Sequence, residues 1–226
     1  VPPILFIAST AGSLGASSFT FDMPTKARPS DVLIAAMWTA NTGQNVDDDP
    51  TWIELLSLTT GSGQLLVVGR VVDGTEGHTI ELPIANPGGA FLVAGLLMYR
   101  GAGLSLGPVD GSGTLVSAST NWPCPSRTPA VYSDMYLGFA CSTTATAFAP
   151  PGGCIERFEA ASVGELEIFE LLPEATTATG VKTATTGVAG SGLAASALIP
   201  AGGLVAIGKV LAFDPPGALG LPTEGV

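Results

Sequence analysis

Basic residues are scarce in this chain. Lys and Arg number eight against 19 Asp and Glu, for a net charge of -11 and a pI near 4.2. Proteins that bind nucleic acid neutralise phosphates with clustered Lys and Arg. The eight here are scattered, so neither nucleic acid nor an anionic membrane surface is expected as a partner. Charge of either sign is thin, at 12% of residues, about half the usual share. Long apolar runs are missing as well. Leu65 to Val68 and Phe91 to Met98 are too short to span a bilayer. The apolar start, Val1 to Ile7, has no basic n-region and does not read as a signal peptide. A start at Val1 fits a chain that has lost its initiator Met, or a leader.

Catalytic residue types are equally sparse. The single histidine, His78, stands beside Glu76 and Gly77, where a surface or edge position is expected. A catalytic nucleophile needs a base and an orienting group, and no Ser or Cys lies in a GxSxG elbow. Glycoside hydrolysis needs two facing carboxylates. Glu54, Glu81, Glu156, Glu159, Glu165, Glu167 and Glu170 are available. Glu165 and Glu167, two residues apart, share one strand face, which reads as a solvated face rather than a cleft. No Gly-rich segment follows a strand and opens a helix, so no phosphate loop is expected. Cys124, Cys141 and Cys154 cannot all pair within one chain, and they match no zinc spacing. They read as three buried or half-buried free thiols; one disulfide plus one free thiol is the alternative. No cofactor and no enzymatic activity are expected.

Turn formers and short apolar runs are what the chain does have. Gly (30) and Pro (18) lie between apolar segments, and 46% of residues are hydrophobic. That distribution describes many short strands with tight turns, not disorder. Ser18 to Phe21 alternates. Val32 to Trp38 is continuously apolar, as expected for a strand covered on both faces. Trp52 to Leu58, Gln64 to Val72, His78 to Ile84 and Ala90 to Tyr99 follow as strands, with a hairpin signal at Asp73-Gly74.

The second half repeats this order. Ser133 to Phe139 echoes Ser30 to Ala36, and Pro150 to Glu156 echoes Asp49 to Glu54. Gly164 to Phe169 echoes Gly63 to Val68, and Gly190 to Gly202 echoes Gly89 to Gly101. The spacing from Gly63 to Gly164 is 101 positions, as it is from Gly101 to Gly202. The expected fold is an all-β antiparallel sandwich, jelly-roll-like, built from two half-sandwich repeats at about 17–106 and 117–202. Two small sandwiches joined near Gly107 to Thr120 would satisfy the pattern. One sandwich of two interleaved Greek keys is preferred, because an open half-sheet leaves bare edges. Residues 1–16 read as an N-terminal arm. Residues 203–226 read as a last strand and a Pro/Gly-rich tail, either frayed or ordered against a neighbouring subunit.

Two places could hold a ligand. Asp47-Asp48-Asp49 is a compact set of hard oxygen donors that could bind calcium, or simply an acidic loop in water. Trp122, between Asn121 and Pro123, reads as an exposed aromatic, the best sugar platform of a set with Trp38, Trp52 and Tyr132. Trp38 and Trp52 lie in apolar runs and read as core. Ser/Thr-rich stretches at 142–146 and 176–186 suit flat subunit contacts.

The order of elements carries a resemblance. Ser30 to Ala36, Pro50 to Ile53, Gly63 to Arg70, His78 to Ile84 and Ala94 to Gly101 follow one another, with Pro108-Val109-Asp110 soon after. Over about residues 17 to 201 this set resembles β-sandwich proteins of tailed bacteriophages and gene-transfer particles. The resemblance implies a virion structural protein, a capsid decoration, head-surface or tail component. Its partners would be other virion proteins, or copies of itself in a homo-oligomer. The alternative is a host-recognition adhesin or carbohydrate-binding module with a glycan partner.

Overall fold

The computed structural model describes residues 4–14, 17–46, 49–61, 63–84, 92–104, 111–144, 147–161 and 164–202. These hold strands and no helix. The first half contains β1 (Leu5–Ala11), β2 (Ser13–Leu14), β3 (Ser18–Asp22), β4 (Val32–Thr39), β5 (Ile53–Thr60), β6 (Gly63–Val71), β7 (Thr79–Pro83) and β8 (Leu92–Arg100). The second contains β9 (Gly111–Cys124), β10 (Met135–Ser142), β11 (Phe148–Ala149), β12 (Ile155–Ala161), β13 (Glu165–Leu171) and β14 (Lys182–Ile199).

Two large antiparallel sheets result. The first runs β1-β8-β4-β6-β5, and the second runs β14-β10-β13-β12 with β9 and β11 paired to β14. Each sheet draws its strands from one half of the chain, so the halves do not interleave, contrary to the preferred expectation. The strand order is shared: β8-β4-β6-β5 matches β14-β10-β13-β12, and β1 flanks β8 as β9 flanks β14. A bulge interrupts β5 between Glu54 and Leu56, and another interrupts β12 between Glu156 and Phe158.

The sheets pack face to face. Val32, Ile34, Ala36 and Trp38 of β4 meet Met135, Leu137, Phe139 and Cys141 of β10 in one shared core. The opposite faces are covered too. Leu33, Ala35 and Met37 are buried under Phe19, Phe21, Ile80 and Leu82 of the small β2-β3-β7 sheet. Tyr136, Ala140 and Phe169 are buried with Trp122, Phe148 and Ala184, contributed by β9, β11 and the first part of β14. Burial on both faces explains why β4 and β10 are apolar without alternation. Each such large side chain removed from water contributes about 1.5–3 kcal/mol.

Matching devices end the two halves. Ser30-Asp31 directly precedes β4, and Ser133-Asp134 directly precedes β10. Asp31 Oδ2 accepts the Arg28 N–H at 2.9 Å, and Asp134 Oδ2 accepts the Ala130 and Val131 N–H groups at 2.9 and 3.1 Å. Beyond β8 and β14 the halves touch end to end in an antiparallel bridge between Ala102 and Ala201. Gly103 N–H donates to Pro200 O, and Gly202 N–H donates to Gly101 O.

Residues 5–11, expected within an N-terminal arm, form an edge strand. Pairing with β8 satisfies backbone groups that β8 would otherwise leave bare. The Phe6 ring meets Tyr99 edge-on at 5.6 Å and stacks under the Arg157 guanidinium at 4.2 Å. The expected last strand and tail, 203–226, lie outside the described residues.

Candidate functional site

The sequence candidates are dispersed. Asp47 and Asp48 lie outside the described residues. Asp49 Oδ1 accepts the Thr51 N–H and hydroxyl, at 2.9 and 2.6 Å, so it is engaged in a local turn. His78 is exposed just before β7. The three cysteines are free: Cys124 and Cys141 buried, Cys154 half-buried. Burial pushes the Cys124 thiol up to about 12 and raises Cys141 and Cys154 as well.

Trp122 is not an exposed platform. It is fully buried, edge-on to Phe148 at 5.3 Å, with its indole N–H donating to Thr186 Oγ1 at 3.2 Å. The neighbouring Pro123 marks an edge strand here, because β9 continues through it. Trp38 and Trp52 are in the core, and Tyr132 is exposed.

The carboxylates of β13 overturn another expectation. Glu165, Glu167 and Glu170 are buried, not solvated. Glu170 faces inward and pairs with Arg157. Glu165 and Glu167 face outward with Phe169, but the segment between β10 and β12 covers that face. Phe148 of β11 sits in the outer core, and its N–H donates to Glu159 Oε1 at 2.7 Å.

Glu167 lies between Ala140 of β10 and Glu159 of β12. Oxygens of Glu156, Glu159 and Glu167 all come within 4.8 Å of one another. Glu156 and Glu159 are exposed, whereas Glu167 is 0% exposed and neither of its oxygens has a hydrogen-bond partner. Desolvation first, then the charges of Glu156, Glu159 and Glu165, push its carboxyl up to about 9. Hard oxygens in this number suit an alkaline-earth cation and not a soft metal.

A sequence signal for this site exists in the 101-position spacing between the two halves. Glu167 echoes Leu66, and Leu66 is a fully buried core residue between Met37 and Ser57. A carboxylate at a position whose counterpart is core leucine needs a reason. Elsewhere the surface offers shallow grooves, one of about 320 Å³ beside Met23, Val72 and His78 and one of about 280 Å³ beside Leu171 and Thr177. Among the described residues the titratable side chains are Glu76 and His78 at the first and Glu174 at the second.

Compared with family models, curated proteins and solved structures, the chain matches none.

Proposed function

We propose that this chain is a non-enzymatic virion structural protein of a tailed phage or gene-transfer particle, a capsid decoration, head-surface or tail component. It acts by protein–protein contact, with other virion proteins and with its own copies. Its fold is one jelly-roll-like sandwich derived from two duplicated half-sandwich repeats.

One observation carries this reading: the edge strand β9. It runs 14 residues and contains no charged residue. Among the described residues it pairs only with β14, and none of them pairs with its other side. Leu115 on β9 and Val188 on β14 are 59% and 64% exposed. Proteins that stay monomeric guard such edges with charge or by making them short. The regular part of this edge, Gly111–Val116, is uncharged and carries the exposed Leu115, which suits pairing with another subunit. The glycan-binding alternative loses its platform, because Trp122 is buried.

The test is light scattering coupled to size-exclusion chromatography on the full chain and on Leu115→Lys. The expected result is a discrete closed oligomer that Leu115→Lys converts to a folded monomer. A wild-type chain that is monomeric at every concentration, or an oligomer indifferent to Leu115→Lys, would refute assembly through β9.

A further inference from the structure

We infer that Glu156, Glu159 and Glu167 form a calcium site, with the buried Glu167 as its inner ligand and the two exposed carboxylates closing it towards water. Three observations support it. The oxygens are grouped within 4.8 Å. Calcium binds oxygen at about 2.3–2.6 Å, so ligands on opposite sides of one ion stand about 5 Å apart. Magnesium, at about 2.1 Å, needs a tighter octahedron.

The second observation is the unpartnered carboxyl group. Both Glu167 oxygens are shut off from solvent and accept no hydrogen bond, although its carboxylate points at those of Glu156 and Glu159. A buried carboxylate without a partner is strongly unfavourable. The chain solves this elsewhere with a cation: Glu170, on the opposite face of the same strand, is paired with Arg157. Among the described residues no Lys or Arg pairs with Glu167, so a bound cation would supply its counter-charge.

The third is orientation. The Phe148 N–H holds one oxygen of Glu159 and fixes the side chain beside Glu167. Such an outer hydrogen bond is how ligating carboxylates are commonly aimed. Backbone carbonyls and water would complete the coordination shell.

The experiment is calorimetric titration of the chelator-stripped full chain with calcium chloride, and with magnesium chloride in parallel. One calcium per chain is expected, with binding at least about tenfold weaker in Glu156→Gln and in Glu159→Gln, and lost in Glu167→Leu. Glu167→Leu installs the residue that the first half carries at Leu66. It should fold, with a thermal midpoint in chelator no lower than wild type and no rise on adding calcium, whereas the wild-type midpoint rises. Glu156→Gln changes an exposed side chain, so it decides the matter even if Glu167→Leu fails to fold. Absence of heat with calcium up to about 10 mM, ten times the weakest calcium modules, would overturn the site. So would a magnesium preference, or calcium binding that survives Glu156→Gln and Glu167→Leu unchanged and so resides elsewhere, as at Asp47 to Asp49.

Discussion

The indole Nε1–H of Trp38, on β4, donates to the carbonyl oxygen of Ser142, on β10, across the interface between the two large sheets at 3.0 Å. Both residues are fully buried. Trp38→Phe keeps a ring in the core but leaves that carbonyl without its donor. The expected loss is about 1–3 kcal/mol, read as a lower urea midpoint. Trp38→Ala adds a cavity and should cost about 3–5 kcal/mol. Because the halves share this core, wild-type unfolding should be a single transition by every probe. Two separated transitions would show that the halves are stable apart.

Close approach at Gly95 is a second constraint. A Cβ there would stand 2.6 Å from the ring of Phe158 on the opposite sheet. Gly95→Ala should destabilise by about 1–3 kcal/mol through overpacking. Adding Phe158→Ala should remove that penalty, so the double variant is less destabilised than the two single losses summed. Gly77→Ala, where a Cβ meets nothing within 4 Å, serves as the neutral control.

Thiol chemistry follows burial. Cys124 and Cys141 are buried and their thiols are pushed up in pKa, so almost no thiolate exists at neutral pH. Only Cys154, half-buried, should react with a thiol reagent in the native protein, and slowly. Denaturant should release two further thiols. Fast native labelling at more than one position would contradict the packing.

Stability in chelator should depend on the proton held by Glu167. Its carboxyl is raised from 4.5 to about 9 by desolvation and by Glu156 and Glu159 on β12 and Glu165 on its own strand. Ala140 and Phe148, from β10 and β11, bring no charge to it. The folded chain therefore binds a proton that the unfolded chain releases above about 4.5. The stabilisation is complete below that pH and is lost as pH rises towards about 9. Thermal midpoints should fall across this window, and the fall should be shallower in Glu167→Leu. An equal slope in both proteins would count against it.

Much of the fold was legible in the sequence, for local reasons. Strands β3 to β8 carry their own boundaries, such as Asp73-Gly74 after β6 and Ser30-Asp31 before β4. The common spacing of Gly63 with Gly164 and Gly101 with Gly202 anticipated the shared strand order. What escaped depends on residues far away in the chain. Leu5 to Ala11 is a strand because β8, some ninety residues later, offers an edge. Alternation assigns Glu165 and Glu167 to one face correctly, but cannot tell that Phe148 and its neighbours cover that face. Pro123 marks a loop by local rules, yet an edge strand accepts proline without losing a ladder bond.

The end-to-end bridge at Ala102 and Ala201 has a consequence for evolution and geometry together. Two identical chains meeting this way would have to change both sides with every substitution. Joined in one chain, the halves can differ position by position, as Leu66 and Glu167 do. The molecule thereby acquires a polarity: one end is bordered by β1, the other by β9. A symmetric dimer of one half would carry the same border at both ends, whereas this chain carries two different ones.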